Sequence, residues 1–375
     1  MKILIDARYL DGSFSGIGTY SQNLIENLSR VDSENEYYVL VRPGFGAGLT
    51  VGPNFRMISY SPKPVSVATL AALGNYIDSL RVDLVHSLFP LAPLAMRTPL
   101  MVTIHDLQPF VDPEFSARRM PWIQLAYRMF YGYAYPAVLK RAKWIISVSY
   151  HTQDLVKEFF PAEIPKLIVI NSGLDKSLFE PPERDPREVQ KRYQLQRPYL
   201  LYYGSTRPNK NLLNIVRGFD LLIRQAEEED TDLLLIVKKD RFYRDVERVI
   251  KNLDRESRVR VLDQIPPADQ RAILGSARVF LFPTKYEGFG FPALEAMAAG
   301  VPVIAGRSGA LPEICGNAAE FVNPDEPEDI AAALIRILGS ASLREDLIAR
   351  GHARAHQFDW REAAERVRDI YRLLC

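Results

Sequence analysis

Two glutamates, Glu287 and Glu295, stand eight residues apart in YEGFGFPALEAMAAGVPVIAG (residues 286–306), with Gly288, Gly290 and Pro292 between them. A helix opened by Pro292 and a strand after it account for the apolar residues of this stretch, but not for its acids. Proline at the first helical position costs no hydrogen bond and arrives with its φ preset. That start puts Glu295 in the first turn, near the positive end of the helix dipole. Glu287 comes before the helix and directly after an apolar run over 279–283, the place where open α/β sheets present groups to ligands. Gly288 and Gly290 remove side chains, so backbone N–H groups can approach a ligand closely. A carboxylate beside such donors suits a ligand with both hydroxyls and negative charge, and a sugar bearing a diphosphate has both. The structural alternative for Glu295 is a carboxylate that only complements the dipole.

Cations stand at a matching point upstream. GSTRPNKN (204–211) follows an apolar run and precedes a helix. Lys210 close to a helix start opposes the dipole. An anionic ligand would relieve that, and Arg207 offers the paired donors that phosphate accepts. Two solvated loop cations are the plain alternative. Near the amino terminus, SGIGTY (15–20) places Gly16 and Gly18 in a loop that opens a helix, an arrangement that either receives phosphate or simply turns the chain. His105 ends the strand-like run over 101–106. It is either a structural histidine or a hydrogen-bonding partner for a ligand at the sheet edge.

The elements that must position these residues alternate throughout. Nearly continuous apolar runs, as expected of strands covered on both faces, fall at 2–7, 37–41, 56–60, 82–87, 101–106, 144–149 and 167–171. Helical patterns lie at 18–30, 67–80, 121–142 and 152–159. After 178–187 (LFEPPERDPR), which reads as a linker, the alternation restarts. Strands are expected at 199–203, 232–237, 259–262, 279–283 and 301–305, and helices at 211–226, 244–253, 269–277 and 292–299, with a last amphipathic helix over 360–374. Alternation of this kind implies parallel sheets. The expected fold is α/β, two Rossmann-like doubly wound domains facing a central cleft, over 1–178 and 179–357, with 358–375 as a terminal helix. A length of 375 residues fits two such domains.

Composition narrows the classes. A net charge of +1 selects neither nucleic acid nor membrane as a global partner. Cys315 and Cys375 have no metal or redox spacing. The start lacks a signal-peptide pattern and no apolar run is long enough to span a bilayer, so a cytoplasmic protein is expected. Residues 115–153 contain no acid and carry Arg118, Arg119, Arg128, Lys140, Arg141 and Lys143 among many aromatics. That stretch suggests peripheral contact with the inner face of a membrane, against the alternative of a packed helix with solvated cations.

Taken together, Glu287-x7-Glu295 within EGFGFPALEAMAAGVPVIA, SGIGTY, TIHDL (103–107), SVSYHTQDL (147–155), GSTRPNKN and SGALPEICGNAAEFV (308–322) resemble the family 4 retaining glycosyltransferases, of GT-B fold. The resemblance implies a carboxyl-terminal domain that holds a nucleoside-diphosphate sugar and an amino-terminal domain that holds the acceptor, with the last helix crossing back to the first domain. Glu287, with Gly288, Phe289 and Gly290, would meet the donor hexose, and Glu295 the ribose. Arg207 and Lys210 would neutralise the diphosphate, the Gly16–Gly18 loop would cover it, and His105 would sit under the sugar. Many relatives carry Arg just before this lysine, where the chain has Asn209. The expected activity is transfer of a hexose, from a donor of the UDP-glucose or GDP-mannose type, to a hydroxyl of a glycan or lipid-linked saccharide in polysaccharide or glycoconjugate synthesis. No cofactor is expected. The Arg207/Lys210 cations would supply the charge that other families take from a metal, so no metal is expected either. A sugar-nucleotide epimerase and a non-catalytic nucleotide-sugar binder are the alternatives. A dehydrogenase is disfavoured, because the amino-terminal loop lacks GxGxxG. The base is expected near 263–267.

Overall fold

Strands whose side chains are apolar on both faces need cover on both sides, and each half of the chain supplies it with helices between parallel strands. The structure, a computed structural model, describes residues 1–10, 16–111, 121–226, 230–253, 255–263 and 265–373. It divides into two units, Met1–Gly173 with Asp359–Cys375, and Leu174–Phe358.

The first unit holds seven parallel strands, β1 (Lys2–Asp6), β2 (Glu36–Val41), β3 (Phe55–Ser59), β4 (Leu84–Ser87), β5 (Leu100–Ile104), β6 (Trp144–Ser147) and β7 (Leu167–Val169). Their order is β3-β2-β1-β4-β5-β6-β7. Chain direction across the sheet therefore reverses between β1 and β4, where doubly wound sheets bind ligands. The helices are α1 (Gly16–Val31), α2 (Val67–Ala71), α3 (Leu73–Leu80), α4 (Gln108–Val111), α5 (Pro121–Arg141) and α6 (Tyr150–Phe159). The single helix expected over 67–80 is two. The amide of Leu94 takes the Leu70 carbonyl at 3.0 Å, and a Cβ on Gly74 would lie 2.1 Å from the Ala95 carbonyl oxygen. The passing segment thus replaces a helical hydrogen bond.

In the second unit, β8 (Tyr199–Gly204), β9 (Asp232–Val237), β10 (Val259–Leu262), β11 (Val279–Phe282), β12 (Val303–Gly306) and β13 (Glu320–Val322) run parallel. Their order is β10-β9-β8-β11-β12-β13, so the reversal lies between β8 and β11. The helices are α7 (Pro186–Arg192), α8 (Leu212–Gln225), α9 (Tyr243–Lys251), α10 (Pro267–Gly275), α11 (Phe291–Ala298), α12 (Leu311–Cys315), α13 (Pro327–Gly339) and α14 (Ala341–Ala355). The stretch expected to be a linker, 178–187, is tied into this unit. Arg184 reaches the fully buried carboxylate of Asp269 at 2.7 Å, and Asp185 caps α7 by accepting from the Arg187 amide at 2.9 Å.

The last helix, α15 (Trp360–Leu373), belongs to the first unit. The Tyr371 hydroxyl lies 2.7 Å from Nδ1 of the buried His86 in β4, and Arg368 donates to the Val31 carbonyl at the end of α1. Gly173 lets this happen, since a Cβ there would meet the Trp360 amide nitrogen at 2.0 Å. Among the described residues no helix is long and apolar enough to cross a membrane.

Candidate active site

Each unit gathers its candidate residues at the carboxyl ends of its strands. In the second unit, Lys210 comes from the loop after β8 and Glu287 from the loop after β11, the two strands that flank the reversal. Their side chains form an ion pair. Lys210 also sits over the Phe282 ring at 5.5 Å. The charge that the sequence alone left facing the helix dipole is therefore met inside the chain, by the other candidate residue. A lysine ammonium has three donors, so one partner leaves donors for a second.

The pair is fixed from behind by backbone. Pro208–Lys210 forms a 3₁₀ turn that ends on Asn211 at φ 63°, a left-handed conformation that asparagine tolerates better than most residues. Its buried amide donates to the Pro283 carbonyl at 2.9 Å, joining the β8 loop to the β11 loop. Asn209, just before this lysine, is buried rather than free to meet a ligand. Its amide donates to the Tyr286 carbonyl at 3.2 Å. Arg207, by contrast, is exposed; its carbonyl accepts from the Lys210 amide at 2.9 Å, and its guanidinium makes no hydrogen bond or ion pair among the described residues.

On the far side, the backbone of Glu287 is gripped by the loop after β12. The Ala310 amide donates to the Glu287 carbonyl at 2.9 Å. A Cβ on Gly309 (φ 58°) would fall 2.5 Å from that oxygen and 2.7 Å from the Glu287 nitrogen. Gly290 caps α11 at φ 116°, where only glycine sits without strain. Phe289 turns inward and packs on Phe291 and Phe358, so only its backbone is available to a ligand. Gly288 and Gly290 are likewise buried.

Glu295 is not in the first turn of its helix. Gly290 starts α11 at Phe291, one residue before the expected proline, which leaves Glu295 one residue further in, just past the first turn, and weakens the dipole explanation for it. Instead it accepts a hydrogen bond from the Tyr203 hydroxyl, at the end of β8. Burial raises its pKa, with Asp175 adding to the rise and the Tyr203 bond opposing it. The Tyr203 hydroxyl is itself pushed far up by burial and by the glutamate beside it. The chain's one Asp-x-Asp, Asp230-Thr231-Asp232, lies at the amino end of β9, the opposite end of the sheet from Lys210. Asp232 there is occupied by Arg258 at 2.7 Å and Arg197 at 3.6 Å.

In the first unit, His105 follows β5 and bonds through Nε2 to the carbonyl of Leu88, which follows β4, at 2.8 Å. A carbonyl only accepts, so Nε2 carries the proton. Burial holds the ring's pKa down at about 4, against a small opposing effect of that bond. His105 is thus neutral near pH 7, with Nδ1 as its acceptor. Gly16 and Gly18 open α1, and Tyr20, two residues further on, sets its ring edge-on to His105 at 4.7 Å. The structure therefore brings together Lys210 with Glu287, Glu295 with the β8 end, and the start of α1 with His105. Ser15 and residues 115–120 lie outside the described residues, as does Gln264 within the loop expected to receive the base.

Sequence reasoning missed Tyr203, Asn209, Asn211 and Gly309 as positioning residues. Asn211 carried a usable signal, an amide just before a helix, where asparagine commonly caps. Tyr203 carried none, because a tyrosine in a buried strand reads as core.

Two family models match the chain: "Glycosyltransferase Family 4" over residues 14–178 and "Glycosyl transferases group 1" over 184–354. Among curated proteins, O-antigen chain mannosyltransferase B of Escherichia coli is 28% identical over 73% of this chain and 70% of its own length. MMP alpha-(1->4)-mannosyltransferase of Mycolicibacterium hassiacum is 28% identical over 74% and 66%. O-antigen chain mannosyltransferase RfbU of Salmonella typhimurium is 24% identical over 63% and 60%. This chain thus spans about two thirds of the length of these relatives. Among solved structures, sucrose-phosphate synthase of Thermosynechococcus elongatus aligns over 100% of this chain and 99% of its own, with a TM-score of 0.77 at 20% identity. An Anabaena protein, HepE, solved in complex with UDP, aligns over 99% of both chains with a TM-score of 0.73 at 17% identity. The fold is that of the GT-B proteins, two Rossmann-like parallel-sheet units.

Proposed function

The chain belongs to glycosyltransferase family 4, and on that premise we propose that it moves a hexose from a nucleoside-diphosphate sugar to a hydroxyl of a glycan or lipid-linked saccharide. The observation that carries this reading is the Lys210–Glu287 pair at the reversal of the second sheet. One residue of the pair suits a phosphate and the other suits sugar hydroxyls, and they stand within contact distance. A donor with its diphosphate joined to the anomeric carbon needs that adjacency.

In this reading Lys210 keeps its bond to Glu287 and turns its remaining donors to the diphosphate, with Arg207 adding charge from the rim. Charge that develops on the leaving diphosphate is then met by fixed cations and by the N–H groups of Gly288, Phe289 and Gly290, the kind of preorganised field that usually supplies the largest catalytic share. Glu287 receives the hexose hydroxyls and Glu295 those of the ribose. In the first unit, His105 is neutral and offers a ligand a lone pair rather than a charge. Metal independence follows from the cations. Retention follows if the acceptor attacks from the face the diphosphate leaves, with that phosphate taking the acceptor proton. The mannosyltransferase names of the curated relatives favour mannose as the hexose.

The test is to incubate the purified chain with UDP-glucose or GDP-mannose, EDTA and a panel of saccharide acceptors, and to read the product anomer by NMR. A product of retained configuration from one donor supports the reading. Donor consumed to an epimer, with no glycosylated product, would assign the epimerase alternative. Donor bound but unchanged with every acceptor would favour the non-catalytic binder.

A further inference from the structure

In the first unit, α5 is apolar on more than one face, and only one of those faces is covered. Tyr131, Ala134, Tyr135, Val138, Leu139 and Ala142, at helical spacings of three and four, are buried in the unit's core. At the same spacings, on the opposite side of the helix, Trp122 is 65% exposed, Leu125 59%, Met129 67% and Tyr133 66%. A helix of a water-soluble unit normally gives that side to polar residues. Isolated apolar residues on a surface need no explanation, but a contiguous stripe of four large ones does.

The charges around the stripe say what covers it. Arg128, Lys140 and Lys143 are exposed on or beside α5. From 115 to 153 the sequence has six cations and no acid, within a chain whose net charge is only +1. Two copies meeting through this face would oppose like charges. An anionic surface with an apolar interior meets both features at once. Tryptophan and tyrosine are the side chains that favour such a boundary, since each has an apolar ring and a polar tip.

We propose that the exposed face of α5, formed by Trp122, Leu125, Met129 and Tyr133 and rimmed by Arg128, Lys140 and Lys143, docks on the surface of an anionic lipid bilayer. The helix lies along the interface, its apolar stripe among the upper acyl chains and its cations at the lipid phosphates. The proposal stands on the exposure and charge of α5 and does not depend on the glycosyltransferase reading. If both hold, the chain works where a lipid-linked acceptor would be found.

The test is flotation of the full chain with vesicles of phosphatidylcholine alone and of phosphatidylcholine mixed with phosphatidylglycerol. The wild type is expected to float with the anionic vesicles only, to be released by salt, and to show a blue-shifted tryptophan emission that Trp122→Phe removes. Leu125→Ser with Met129→Ser, and separately Arg128→Gln with Lys140→Gln, should each weaken binding about tenfold or more without lowering the unfolding temperature. A wild type that stays in the soluble fraction, or double variants that float as well as it does, overturns the proposal. So does a dimer by light scattering that Leu125→Ser with Met129→Ser splits, which would assign the face to a second copy.

Discussion

Lys210 and Glu287, 77 residues apart in the chain, join their side chains at the carboxyl ends of β8 and β11. The pair spans the two strands between which the second sheet reverses. It has two consequences. The acid is held where it can meet a substrate, and its removal leaves a half-buried lysine without its partner.

The two residues should therefore fail differently. Lys210→Ala is expected to weaken nucleoside-diphosphate binding by about 1.5–3 kcal/mol, the range of a charge-assisted bond. Glu287→Gln should leave that affinity unchanged or tighter, because the lysine is freed for the phosphate, while transfer is lost. Calorimetry with the nucleoside diphosphate and an assay of transfer separate the two. Equal loss of diphosphate affinity in both variants would count against the assignment.

A substitution that touches no substrate should act through Glu287. Gly309→Ala puts a methyl group against the Glu287 backbone, with Glu287 oxygen and nitrogen 2.5 and 2.7 Å from the new carbon. Displacement of a catalytic loop by about 1 Å can cost on the order of a hundredfold in rate. The expected result is a transfer rate reduced by that order, together with a lower unfolding temperature. Unchanged kinetics would mean that the loop tolerates the shift and that Glu287 does not need its present position.

If Glu295 holds the ribose, Tyr203 sets its orientation by donating to it. Glu295→Gln should erase the preference for ribonucleoside over 2′-deoxyribonucleoside diphosphates. Tyr203→Phe should weaken that preference and lower stability by about 1–3 kcal/mol, since a buried acceptor loses its donor. Competition binding with the two nucleotides reads the first effect, and denaturant unfolding reads the second. A preference that survives Glu295→Gln would remove it from the ribose.

Stability should fall in acid through two histidines of the first unit. Burial holds His86 down at about 3, with His105 adding to the effect, and burial holds His105 at about 4. Both rings are neutral when folded and take a proton near pH 6.5 when unfolded. The stability of the neutral rings is thus fully present above pH 6.5. It is lost as pH falls toward 4, at up to roughly 1.4 kcal/mol per pH unit for each ring. Denaturant unfolding from pH 7 to 4 measures the slope, and His86→Gln should lessen it. A stability flat across that range would contradict the buried neutral state.

Much of this was legible in the sequence, because strands covered on both faces write themselves as apolar runs. β9 and β10 fall on their expected limits, and the other runs lie within a few residues. The break between α2 and α3 was hidden, since its cause is a backbone contact with Ala95, far along the chain. No expectation covered β13 or α12 to α14, though α13 and α14 carry readable amphipathic patterns and Ser340 caps the latter. At the site, Glu287, Glu295 and Lys210 were visible by type and spacing. The direct contact of Lys210 with Glu287, and the inward turn of Asn209, were not. Both depend on which strands lie side by side, and strand order is decided by packing rather than by any local pattern.

In the proposed function Lys210 and Glu287 form the floor of a donor site that needs no metal. The most direct measurement is calorimetric titration of the wild type and of Lys210→Ala with UDP, GDP and their hexose conjugates in the presence of EDTA. The wild type is expected to bind one nucleotide series without metal, and Lys210→Ala to weaken that series by about tenfold or more. Binding that appears only when a divalent cation replaces EDTA, or that is the same in both proteins, would contradict it.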